Sequence, residues 1–247
     1  VGHGPTIDSV LSMLVGSLLR GSCVAIVALV IGAVGAQAAT AATVTFDKPC
    51  YLAAQPGLPT GQKVTFSGTG FTPSAPVSGT LDGTPIVSGS ASSTGTINGS
   101  VSAPATDAGR FSGVATLSLS DGTNSVTADF PISNLSADFL PSTGNPRTQK
   151  VRYYLYGFDA FQGALGAKPH QKAYLHILDP HGKVRATRSM GRTKGSCGTL
   201  RSSRQRILPF EPIPGSWRYV FDLEKVYRKK TKTPRAIVFY NITRSAG

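Results

Sequence analysis

Cys197 stands in the stretch "GRTKGSCGTLR" (191–201), with Gly195 and Gly198 close by and Arg192, Lys194 and Arg201 on either side. Cations beside a thiol favour the thiolate, the form that acts as a nucleophile. Such a cysteine also needs a base within hydrogen-bond reach, and His176 and His181 are the nearest candidates in sequence. The same residues read equally well as a glycine turn that carries one half of a disulfide. A phosphate loop is excluded, because it needs Gly-x4-Gly-Lys-Ser/Thr between a strand and a helix. Gly191 to Gly198 has neither the spacing nor a helical pattern after it.

His170, His176 and His181, with Asp179, invite a metal reading. The histidines are six and five residues apart, so strand alternation cannot put all three on one face, and no Cys-x-x-Cys supports a site. No metal and no small-molecule cofactor are expected.

The basic residues are the strongest functional signal. Arg185, Arg188, Arg192, Lys194, Arg201, Arg204 and Arg206 crowd one stretch, and Arg228, Lys229, Lys230, Lys232 and Arg235 another. Both stretches lie beside expected turns. The charge is uneven: residues 133–247 hold 21 Lys and Arg against 6 Asp and Glu, a balance of +15, whereas residues 39–132 hold 3 against 5, a balance of −2. Such a surface attracts polyanions over long range and loses them as salt rises. No RNA-recognition or helix-turn-helix pattern accompanies it.

The elements that must position these residues begin after a leader. Arg20 precedes an apolar run, Val24 to Val34, which is followed by the small-x-small site Ala36-Gln37-Ala38. This is the layout of a secretory signal cleaved after Ala38. The run is about half of the roughly 20 residues that span a bilayer, so no stable transmembrane anchor is expected in the mature form. The first dozen residues resemble neither signal nor domain, and a start at Met13 would give a compact leader. Cys23 would leave with the signal, so two of the three cysteines remain, Cys50 and Cys197. Outside the cell a pair of cysteines reads first as a disulfide.

Both halves read as β. Lys63–Ser67 and Gly113–Leu119 are strand-length alternating runs, and Asp82-Gly83 and Asp121-Gly122 supply hairpin turns. In the second half Val151–Tyr156, Ala173–Leu178, Trp217–Asp222 and Ala236–Ile242 are rich in aromatic and branched residues. Trp217, Tyr219 and Phe221 share one face, and Trp217 is read as a core anchor. "LPSTG" (140–144) has the letters of a sortase signal, but it lacks the apolar segment and basic tail that must follow. It is read as a turn between the halves or as the first loop of the second. Asn98, Asn134 and Asn241 begin glycosylation sequons that are read as chance.

"VTFSGTGFTPSAPVSGTLDG" (Val64 to Gly83) resembles the start of bacterial immunoglobulin-like domains, which mostly serve as spacers or adhesion modules. "PIPGSWRYVF" resembles the approach to a late strand in such sandwiches. "DPHGKVRATRSMGRTKGSCGTL" with "PFEPIPGSWRYVFD" is similar to secreted actinobacterial proteins of unassigned function. His181-Gly182, Ser196-Cys197 and Arg201 also resemble, out of register, the site of secreted L,D-transpeptidases: the glycine follows the cysteine and the arginine lies two residues too far on.

The expectation is therefore an all-β chain, with two immunoglobulin-like β-sandwich domains in tandem (42–132 and 133–247) after a signal at 1–38. It is a non-catalytic secreted or cell-envelope module with a Cys50–Cys197 disulfide. Arg188, Arg192, Lys194, Arg201, Arg228, Lys229 and Lys230 contact an anionic wall polymer or another polyanion. The alternatives are a Cys197-dependent wall enzyme and an extracellular nucleic-acid binder.

Overall fold

The computed structural model describes residues 41–161 and 168–243. The expected export signal, with Cys23 inside it, lies outside the described residues. Every helix or strand among them is a strand, so the chain is all-β. Among the same residues no helix is long and apolar enough to cross a membrane.

The first half holds β1 (Thr43–Phe46), β2 (Tyr51–Leu52), β3 (Lys63–Thr69), β4 (Pro76–Leu81), β5 (Thr84–Ser90), β6 (Ile97–Ser102), β7 (Ser112–Ser120) and β8 (Ser125–Ser133). They form a three-stranded sheet, β1-β3-β6, and a five-stranded sheet, β2-β8-β7-β4-β5. Alternation sets which side of each strand is covered. In β7 Ala115, Leu117 and Leu119 are buried while Val114 is 61% exposed. Val64 and Phe66 turn the same way in β3. The inward residues of both sheets meet in one apolar cluster, where Phe46 and Tyr51 pack on Phe130 with ring centroids 4.9 and 5.6 Å away. This is face-to-face sheet packing, with side chains of the two inner faces filling the gap.

The two Asp-Gly turns work by different means. Asp82 and Gly83 both take positive φ, 48° and 78°, and alone connect β4 to β5, with Leu81 opposite Thr84. That geometry matches the right-handed twist of a hairpin. Asp121 instead bonds the turn together: its carboxylate accepts backbone N–H groups from Asn124, Thr72 and Thr123. The Asn124 N–H first, then that of Thr72, holds the Asp121 carboxyl well below the usual carboxylate range.

The second half holds β9 (Ser136–Leu140), β10 (Lys150–Tyr156), β11 (Lys172–Leu178), β12 (Val184–Arg192), β13 (Leu200–Arg201), β14 (Gln205–Arg206), β15 (Gly215–Asp222) and β16 (Ala236–Ile242). One sheet runs β12-β11-β15-β16. In the other, β10 pairs with β9 on one side and with β13 and then β14 on the other. Val151, Tyr153 and Leu155 of β10 meet Leu175 and Ile177 of β11 and Trp217, Tyr219 and Phe221 of β15. Trp217 is fully buried; its Nε1 donates to the Ile213 carbonyl at 2.9 Å and its ring stacks on Phe210. "LPSTG" starts at the last residue of β9 and runs into the connection to β10. There the Gln149 amide donates to the carbonyls of Pro141 and Thr143, so these residues form the first loop of the second half.

Of the strands that the sequence reading does not name, β12 matters most for the basic residues. Arg185, Arg188 and Arg192, expected beside turns, lie on β12, at the edge of its sheet. Its alternation is carried by Thr, Ser and Arg, and it gives the core only Met190 in full. An edge strand with so little apolar content has no hydrophobic period to detect.

Trp217→Ala should remove about 3–5 kcal/mol of stability through the cavity it leaves. Urea unfolding should show a lower midpoint with an unchanged slope.

Candidate functional site

The stretch from Gly191 to Arg201 carries the chain from β12 in one sheet to β13 in the other. Lys194 and Thr199 exchange both backbone hydrogen bonds at 2.8 Å, and Gly195-Ser196-Cys197-Gly198 forms the hairpin tip. Gly195 and Gly198 both have φ +70°. A side chain at Gly198 would also collide with Asp159, because a Cβ there would lie 2.3 Å from the Asp159 backbone nitrogen. These glycines answer to a tight crossing rather than to a phosphate.

Cys197 is bonded to Cys50 across 147 positions of sequence. No thiol remains at this position to act as a nucleophile. Of the two histidines considered as its base, His176 is fully buried, and its ring bonds Thr187, Asp222 and the Glu224 carbonyl, while His181 is exposed in the turn between β11 and β12. The two sulfurs lie in a small apolar patch with Leu52 and Ala160, against which Leu58, Leu135 and Phe161 pack.

Beside this crossing is an open recess of about 540 Å³. That size falls within the range of about 300–1,000 Å³ usual for small-molecule sites. Arg192, Lys194 and Arg201 line it with Tyr154, Tyr156, Met190 and Thr199, and none of the lining residues is acidic. Each cation arrives by a different route. Arg192 ends β12, Lys194 opens the hairpin tip, and Arg201 stands opposite Tyr154 in the β10–β13 ladder. The Arg201 guanidinium lies 5.9 Å from the Tyr154 ring centroid, and Tyr156 stacks on Phe111 of the first half at 5.0 Å. Arg192 donates to the His170 carbonyl. Among the described residues, none of the three cations has a carboxylate within ion-pair distance.

The other basic residues singled out by sequence lie elsewhere. Arg188 donates to the Gln205 side chain and to the Arg206 carbonyl, fastening β12 to β14. Arg228, Lys229 and Lys230 are exposed in the β15–β16 connection, and Arg228 faces Glu224 at 3.7 Å. Arg185 faces Asp179 at 3.6 Å. The three histidines likewise have separate partners. His170 sits against Asp159, His176 against Asp222, and the backbone N–H of His181 donates to Asp179. Among the described residues no His, Cys, Asp or Glu group gathers to hold a metal.

Sequence reasoning missed a buried ionic network. Strand alternation puts Asp222 on the side of β15 away from Trp217, Tyr219 and Phe221. Its carboxylate is inaccessible, accepting from Arg235 at 2.7 Å and from the Glu224 N–H at 3.0 Å, with the His176 ring 3.1 Å away. Burial pushes the Asp222 carboxyl up, but the bonds from His176, Arg235 and Glu224 outweigh it and hold the carboxyl below its ordinary value. The residues are far apart in sequence, so no local motif announces them.

No protein-family model and no curated protein matches the chain. Solved structures that share some likeness include a tetra-tandem repeat from the extending region of a large adhesion protein. It is 14% identical, with a TM-score of 0.29, over 82% of this chain and 49% of that one. Another is the three N-terminal domains of the highly immunogenic outer capsid protein, Hoc, of bacteriophage RB49. It is 12% identical, with a TM-score of 0.30, over 81% of this chain and 68% of that one. The chain thus spans about half the length of the adhesion repeat. At such values the likeness carries no argument about function.

A peptide map without reductant should show Cys50 linked to Cys197. Replacing both by serine should lower stability by about 2–5 kcal/mol, since the bond closes a long loop in the unfolded chain. Because the folded Asp222 carboxyl is held below the ordinary 3.8, its contribution is complete well above that pH and drains away as pH falls through 3.8 toward the folded value. Asp222→Asn should shrink this acid-side loss of urea midpoint. It should also destabilise at neutral pH by about 3–5 kcal/mol, because Arg235 is left buried without its partner.

Proposed function

We propose that this chain is an exported, non-catalytic binding module whose basic half contacts polyanions outside the cell. The observation that carries this reading is the recess, where Arg192, Lys194 and Arg201 converge with no acidic residue in the lining. Like charges held together repel one another, and a bound polyanion relieves that repulsion while releasing its own counterions. The disulfide supports an extracellular site of action, because thiols outside the cytosol are not kept reduced. It also removes the sulfur on which the enzyme reading rested. The exposed Arg228, Lys229 and Lys230 belong to the same reading as a second, more diffuse contact surface that strengthens long-range attraction.

Retention on immobilised linear polyphosphate and on purified bacterial cell walls should be strong at about 50 mM NaCl and fall steeply by about 200 mM. Absent or salt-independent retention would count against the proposal.

A further inference from the structure

Within the proposed polyanion-binding function, and resting on it, we infer that the recess lined by Tyr154, Tyr156, Arg192, Lys194 and Arg201 is a subsite for an acidic polysaccharide. It takes a uronate-type sugar whose carboxylate is held by the guanidinium groups.

The first argument is the mixture of groups. A purely electrostatic patch needs only charge, whereas this recess places two tyrosines and the Thr199 hydroxyl among its cations. Arg offers a planar fork that pairs with a carboxylate through two parallel bonds, and Lys offers a compact charge with freely turning donors. Phenol and threonine hydroxyls both donate and accept, as sugar hydroxyls do. An uncharged polysaccharide would leave the cations without counter-charge, and a polyphosphate would have little use for the tyrosines.

The second argument separates a sugar from a nucleobase. Single-stranded nucleic acids bind by stacking bases on open aromatic faces. One face of Tyr156 is already taken by Phe111, whose ring lies 5.0 Å away and within 25° of parallel. Arg201 lies over the Tyr154 ring. With one face of each ring so covered, neither tyrosine can be sandwiched between two bases, and their edges and hydroxyls suit a hydroxylated ring with a carboxylate.

The third argument is that the site is built rather than draped. Thr193, next to Lys194, is buried and donates to the carboxylate of Asp159, itself 2% exposed. The Asp159 N–H donates to the Cys197 carbonyl, and the sulfur of Cys197 is tied to Cys50. Arg192 is fixed by its bond to the His170 carbonyl. The backbone that carries the cations is therefore held before a ligand arrives, which lowers the entropic cost of binding.

Isothermal titration of the full chain with oligogalacturonate, in parallel with an uncharged glucan and a single-stranded oligonucleotide of matched charge, tests the inference. Oligogalacturonate should bind more tightly than either. Arg192→Gln with Arg201→Gln should weaken that binding about tenfold or more, while Lys63→Gln with Lys150→Gln, which removes two exposed charges outside both basic surfaces, changes it less than about threefold. All these side chains are exposed, so the variants should keep the wild-type urea midpoint. Binding that survives loss of both arginines, or glucan or oligonucleotide that binds as tightly as oligogalacturonate, overturns the subsite while polyphosphate retention still upholds the broader function. Loss of polyphosphate and oligogalacturonate binding together overturns both.

Discussion

The buried carboxylate of Asp159 is the constraint on which the basic recess depends. It accepts the Thr193 hydroxyl at 2.9 Å and the His170 N–H at 3.0 Å, with the His170 ring 3.2 Å away. Its own N–H donates to Cys197. A carboxylate out of water is costly unless its oxygens are bonded, so these partners are held in place by the cost of losing them. The consequence is a fixed crossing from β12 to β13. It brings the end of β12, which carries Arg192, and the start of β13, which carries Arg201, to the same recess as Lys194.

The same crossing carries the contact between the halves. Cys197 reaches Cys50, Phe111 stacks on Tyr156, and the Leu135 N–H donates to the Gln55 side chain across the junction. The apolar patch there is small beside the two main cores. The covalent bond between Cys50 and Cys197 adds to that patch. The near-neutral first half supplies Cys50 and Phe111, whose ring stacks on Tyr156 in the lining of the recess.

What sequence reveals here depends on whether a feature is local. Strand β15 is legible because Trp217, Tyr219 and Phe221 alternate with smaller or polar residues, and period two is visible within six positions. The Asp82-Gly83 hairpin is legible because positive φ restricts the choice of residue. The cysteine pair is legible because only Cys50 and Cys197 follow the expected leader, and an isolated pair outside the cytosol reads first as a disulfide. Strand β12 is not legible, since it is an edge with a polar outer face. The recess is not legible either: Tyr154 and Arg192 meet only because β10 and β12 lie in different sheets that the hairpin joins. The Asp222 network fails for the same reason, since His176 and Arg235 flank β15 in space and not in sequence.

The disulfide also sets how the chain would carry tension. A pull applied outside Cys50 and Cys197 passes through the sulfur bridge instead of through the intervening chain, whose 147 positions could otherwise extend by roughly 500 Å. The first core from Tyr51 onward, with strands β9 to β12, lies inside that covalent ring and is shielded from the load, whereas β1, whose Phe46 packs on Phe130, lies outside it. Only β1 and the strands after Cys197 would be peeled. Reduction of one bond would thus convert a short, stiff link into a long, compliant one.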